Sequence, residues 1–131
     1  MTTSPIGFDK WDLEEPISRA IKDRGWTEPT EIQVESVPHA RKGKDIVGQA
    51  RTGSGKTAAF GIPILEKCKV SGKIQAIILC PTRELAVQVS EELSILQGKK
   101  GLAIHTIYGG TDLELSLIHI SEPTRLAIIS Y

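Results

Sequence analysis

Asp45-Ile46-Val47-Gly48-Gln49-Ala50-Arg51-Thr52-Gly53-Ser54-Gly55-Lys56-Thr57 runs from a short apolar segment through a glycine-rich loop towards a helix-forming stretch. Its first five residues are a strand candidate, and Lys56 to Lys67 carries enough apolar residues for a helix that Pro63 would kink. A strand, a glycine-rich turn and a helix in that order make the unit whose backbone N–H groups wrap a chain of phosphates. Gly53 and Gly55 permit the close approach and unusual dihedrals that side chains forbid. Lys56 is then placed to reach the β- and γ-phosphates and Thr57 to offer its hydroxyl to Mg²⁺, while the positive end of the helix faces the anion. Arg51, Thr52 and Ser54 complete the candidate nucleotide-binding loop. The general pattern GxxxxGK[ST] has glycine where this chain has Ala50. The bland alternative, a glycine-rich turn without a ligand, leaves the coincidence of strand, loop, lysine and helix unexplained.

Working outward, Glu15 to Arg24 reads as a helix with Pro16 in its first turn, Ile17, Ala20 and Ile21 on one face, and Gly25 as its left-handed stop. Thr30 and Gln33 have the spacing of a capping box, which starts a second helix over Glu31 to Ala40 with Pro38 bending its later half. Downstream, Ile74 to Cys80 is a nearly unbroken apolar run of strand length, expected at the centre of a sheet and covered on both faces. Glu84 to Leu96 sets Leu85, Val89, Leu93 and Leu96 on one helical stripe, and Leu102 to Ile107 returns as a strand before Gly109 and Gly110. The alternation predicts an α/β fold, a parallel sheet flanked by helices and preceded by two N-terminal helices.

At 131 residues the chain is long enough to bury one core without disulfides. Sixteen basic residues balance sixteen acidic ones, so any nucleic-acid partner must be met by a local patch and not by a global field. Cys68 and Cys80 are too far apart for a CxxC pair, and two thiols without a secretory leader suggest a reducing compartment and a cytoplasmic location. No stretch reaches the roughly 18 apolar residues that a membrane span requires. Lone histidines at His39 and His105 read as structural.

The loop AxTGSGKT, together with Gly25-Trp26-Thr27-Glu28-Pro29-Thr30-Glu31-Ile32-Gln33 upstream and Pro81-Thr82-Arg83-Glu84-Leu85-Ala86 downstream, resembles the DEAD-box family of ATP-dependent RNA helicases from Phe8 to about Glu114. Alanine at the Ala50 position is usual in helicases, so that departure narrows the family. The resemblance implies a partial RecA-like P-loop domain that binds ATP and Mg²⁺. The first segment is similar to the Q motif, which gives Gln33 the reading of the adenine edge through its paired donor and acceptor. The same glutamine could merely close the capping box. Trp26 stands where the family has an aromatic stacked on adenine, a core tryptophan being the competing reading. Phe8, 25 residues before Gln33, has the spacing of the family's upstream aromatic, although a lone Phe is often a packing anchor. The PTRELA segment is similar to motif Ia, so Pro81, Thr82 and Arg83 would meet the RNA sugar-phosphate backbone without reading its sequence. Gly109 and Gly110 match the family's GG element, where the backbone itself approaches RNA.

After Glu114 the resemblance implies a threonine-proline-glycine-arginine segment and an Asp-Glu-Ala-Asp box, neither of which is present. The expectation is a truncated first RecA-like domain over 1–114, with no complete catalytic set. The tail 115–131 is read as artefactual, similar to translated sequencing-adapter DNA, and His119 and Arg125 receive no functional role. Two readings of function stay open. One is the ATP-binding portion of an enzyme that couples hydrolysis to local unwinding of RNA duplexes. The other, preferred for the isolated fragment, is a noncatalytic nucleotide- and RNA-binding module. A small P-loop kinase would fit Lys56 and Thr57 but gives no reason for Gln33 or PTRELA.

Overall fold

The computed structural model describes residues 7–51, 53, 55–71, 73–108 and 125–130. A short 3-10 helix at Phe8–Trp11 precedes α1 (Glu15–Asp23), α2 (Glu31–Arg41), α3 (Lys56–Lys67), β1 (Ile74–Cys80), α4 (Arg83–Leu96), β2 (Ala103–Tyr108) and β3 (Arg125–Ser130). The helix signals operate as the spacing predicts. Ile17, Ala20 and Ile21 are the buried residues of α1, which Arg24 closes before Gly25 at φ 77°. The capping box at Thr30 and Gln33 is formed, and Pro38 and Pro63 are accommodated inside α2 and α3.

The core lies between these helices and one face of the sheet. Ile17, Ile21, Val37, Ile62, Leu65, Leu93 and Leu96 are its most deeply buried aliphatic side chains. On α4 the buried stripe is Ala86, Val89, Leu93 and Leu96. Leu85, expected on that stripe, is instead 38% exposed, because the stripe advances by three and four residues from Ala86 and leaves its neighbour at the rim.

The sheet corrects three expectations. Among the described residues it has three strands in the order β1-β3-β2, with β3 parallel to both neighbours, so β1 is an edge strand of this set and β3 holds the centre. The segment Asp45 to Gln49 forms neither strand nor helix, and Val47 on it is fully exposed. A strand exists only through its ladder, and no strand of this sheet pairs with that segment. Finally, β1 is covered on one face and not two. Cys80 is buried and Ala76 and Ile78 pack against the core, whereas Ile77 and Leu79 on the alternate positions are 60% and 64% exposed. The register aligns Cys80, Ser130 and Tyr108, so all three strands end at one edge of the sheet.

Side chains clasp the connections between elements. The Lys100 ammonium donates to the carbonyls of Leu65 and Glu66 at the end of α3 and pairs with Glu14 at 2.7 Å. It thereby meets the negative end of the α3 dipole. The Gln97 amide satisfies both the N–H and the C=O of Leu102 at 2.8 and 2.9 Å, and Gln75 does the same for Lys69 at 2.8 and 2.6 Å.

Candidate functional site

The glycine-rich loop enters α3 through Gly55, which stands at φ 88° in the left-handed region. Gly53 is left-handed too, at φ 82°. A Cβ at Gly55 would run into the Gln33 amide and the Thr30 hydroxyl, so glycine is required there both for the dihedral and for the close approach. Thr52 and Ser54 lie outside the described residues.

The start of α3 differs electrostatically from the other α-helix starts. α1, α2 and α4 each carry a carboxylate in the first turn, Glu15, Glu31 and Glu84 respectively. α3 carries none, and no side chain caps it at Gly55. Its first N–H groups and the positive end of its dipole are therefore not neutralised by an acidic side chain of that turn, the condition that suits a phosphate. Lys56 is exposed at this end and Thr57 half-buried beside it. That donor set fits a nucleotide phosphate chain with its Mg²⁺, the ammonium for the anion and the hydroxyl for the cation.

Gln33 is 1% exposed and works in two directions. Its Oε1 accepts from the Thr30 N–H at 3.0 Å, closing the capping box, and its Nε2 donates to the Gly55 carbonyl at 3.1 Å. The glutamine thus cements the start of α2 to the loop that begins α3. Among the described residues these two bonds leave one N–H and one oxygen lone pair of the amide, the kind of donor and acceptor that an adenine edge needs.

Trp26 follows the Gly25 stop and is fixed by its own N–H bond to the Ile21 carbonyl at 3.2 Å. Its ring is partly buried against the core, with Phe8 near-parallel at a centroid distance of 6.2 Å. Phe8 itself is buried and stands edge-on to Trp11 at 5.6 Å, the environment of a packing anchor. The Arg24 guanidinium lies 4.4 Å from the centre of the Trp26 ring.

At the far end of β1, Thr82 caps α4 by accepting from the Leu85 N–H at 3.1 Å. Pro81, Thr82 and Arg83 are exposed. They leave the sheet at the same edge as β2, after which Gly109 and Gly110 lie outside the described residues. Arg51 is exposed at the start of the loop. No group of three or more metal-binding side chains occurs among the described residues. Burial pushes the thiols of Cys68 and Cys80 up, so neither is a ready nucleophile. A groove of about 560 Å³ runs beside α2 and α3, bounded by Ile32, Ala59, Phe60 and Pro63. Among the described residues it meets the loop at Lys56, and its mainly apolar wall also carries Ser36, Lys44 and Lys67.

Comparison with known proteins agrees with this geometry. The DEAD/DEAH box helicase family matches residues 30–130. The chain is 47% identical over 108 residues to a DEAD-box ATP-dependent RNA helicase CshA of Geobacillus kaustophilus, covering 82% of this chain and 23% of that protein. An ATP-dependent RNA helicase CshA of Listeria monocytogenes is 40% identical over 122 residues, 92% of this chain and 24% of the relative. Among solved structures, a DEAD box protein from the hyperthermophile Methanococcus jannaschii matches with a TM-score of 0.87 and 41% identity, over 95% of this chain and 34% of that one. The chain spans about a quarter of the length of these curated relatives.

Proposed function

Because the chain belongs to the DEAD/DEAH box helicase family and carries part of its RecA-like fold, we propose that it is the ATP-binding N-terminal portion of an ATP-dependent RNA helicase. The observation that carries this reading is the bond from Gln33 Nε2 to the Gly55 carbonyl. A generic phosphate loop needs no glutamine from 22 residues upstream, whereas a site selective for adenine gains from a base reader joined to the phosphate binder. In this site Lys56 and the first N–H groups of α3 hold the phosphates, and Thr57 contributes a hydroxyl to Mg²⁺, which supplies charge neutralisation when bound. Trp26 is the platform for the base, and Gln33 reads its edge. Pro81, Thr82 and Arg83, with Gly109 and Gly110, hold the RNA backbone without reading sequence.

Residues 1–131 contain no Asp-Glu-Ala-Asp run. We therefore assign this polypeptide binding of nucleotide and RNA, and assign unwinding to the longer architecture of its relatives. The reading of 115–131 as foreign concerns its origin, and it is compatible with the place of β3, since an apolar segment such as Leu126-Ala127-Ile128-Ile129 adds readily to open strand edges. Sequencing the genomic DNA beyond codon 114 in independent reads tests that origin. The functional reading is tested by calorimetry of ATP binding. Lys56→Ala should abolish it with the circular dichroism spectrum unchanged, and retained affinity would remove the phosphate-loop assignment.

A further inference from the structure

The Trp26 ring carries two neighbours in this structure, and they differ in how they are held. Phe8 is 8% exposed, packed in the core and braced edge-on by Trp11. Arg24 sits over the ring, with its guanidinium carbon 4.4 Å from the centroid. Its side chain is 26% exposed, as is that of its partner Glu92 on α4. Arg24 Nη1 lies 2.6 Å from Glu92 Oε1, yet the contact lacks the alignment of a hydrogen bond. The Trp26 backbone is held by its bond to the Ile21 carbonyl, and the partly buried ring packs against the core. A purine stacking on Trp26 needs a ring face at van der Waals separation, the layer that the guanidinium fills.

We propose that Arg24 is an access- and specificity-determining residue of the base site. It covers the Trp26 platform in the nucleotide-free state, latched by Glu92, and must swing aside before a purine can stack. The proposal rests on the reading of Trp26 as the base platform. Arg24 is the neighbour that yields, because releasing it breaks one aromatic contact and one partly solvated ion pair, whereas moving Phe8 would open the core. The same feature makes base affinity sensitive to ionic strength, since salt loosens the latch on the partly exposed pair. A triphosphate without a base does not meet the gate at all.

The test measures ATP and inorganic triphosphate affinity for the whole chain and its Arg24→Met, Glu92→Gln and Trp26→Ala variants, each checked for fold by circular dichroism. Methionine keeps an aliphatic stem on the ring and removes the charged plane. Arg24→Met should tighten ATP binding roughly threefold to tenfold, the range of a cation–π contact released on binding. Triphosphate affinity should stay unchanged. Glu92→Gln should shift ATP affinity in the same direction by less. Unchanged or weaker ATP binding by Arg24→Met, with triphosphate unaffected, overturns the gate and leaves the phosphate-loop reading standing. If Trp26→Ala binds ATP and triphosphate in the same ratio as the parent chain, the platform reading itself falls and the gate with it.

Discussion

Replacing Gln33 with alanine should destabilise this fold by an amount that the geometry sets. The side chain is 1% exposed and makes two hydrogen bonds, one to the Thr30 N–H and one to the Gly55 carbonyl. Alanine removes both and leaves a partly buried donor and acceptor without their partner. Each such bond contributes about 1 kcal/mol net, and a polar group left unsatisfied costs about 1 to 3 kcal/mol. The expected loss is therefore about 2 to 3 kcal/mol, a drop of roughly 7 to 11 °C in Tm for a domain of this size. Gln33→Glu separates the two jobs. It keeps an oxygen for the Thr30 N–H but sets a carboxylate oxygen against the Gly55 carbonyl, so it should lose the loop contact and retain the cap. Thr30→Ala should remove only the hydroxyl half of the capping box, about 1 kcal/mol. Urea titration of the three variants measures these differences, and ATP–GTP competition on the folded variants measures base preference. A Gln33→Ala chain within about 0.5 kcal/mol of the parent would refute the argument that the glutamine ties α2 to the loop. An unaltered ATP-to-GTP ratio would leave it a structural residue only.

Three further outcomes follow from other parts of the molecule. Burial raises the Glu66 carboxyl above its ordinary value of 4.5, against the lowering effect of Arg41 at 3.0 Å. The native state then holds this proton longer than the unfolded chain, so its stabilising contribution is present below about pH 4.5 and is lost as pH rises through the raised value. The stability difference between parent and Glu66→Gln should accordingly become less favourable to the parent from pH 4 to 7, and a difference flat in thermal scans across that range would contradict the assignment. Lys100→Met should cost about 1 to 3 kcal/mol in urea unfolding, since it strips the Leu65 and Glu66 carbonyls and Glu14 of a mostly buried ammonium. An effect below about 0.5 kcal/mol would mean that water replaces it fully. The 131-residue polypeptide should show no RNA-stimulated ATP turnover above a Lys56→Ala control, because positioning the phosphates lacks the charge stabilisation that an arginine finger alone supplies, about 10³ to 10⁵ in rate. Lys56-dependent phosphate release would reveal a catalytic carboxylate within these residues.

The features legible in the sequence are those whose physics is local. The capping box depends on Thr30 and Gln33 three residues apart, the stop at Gly25 on one dihedral, and the burial of Ile17, Ala20 and Ile21 on the period of a single helix. The proposed phosphate loop is drawn from the sequence for the same reason, since its glycines, Lys56 and Thr57 are contiguous. Local pattern fails where the partner decides. Ile74 to Cys80 reads as a central, doubly covered strand because apolar content records an affinity for burial and not which faces receive it. Asp45 to Gln49 has strand composition but no ladder among the described strands, and Arg125–Ser130 takes the central place by pairing in parallel with both β1 and β2. The contacts that organise the site lie further still beyond the reach of spacing. Gln33 meets Gly55 across 22 residues, and Arg24, already close to Trp26 in the chain, meets Glu92 of α4 across the packed helices. The Gln33–Gly55 and Arg24–Glu92 pairings arise only when helices dock and side chains are excluded from water, so the sequence by itself determined the parts of the proposed phosphate site, and the tertiary structure alone decided which residues hold them together.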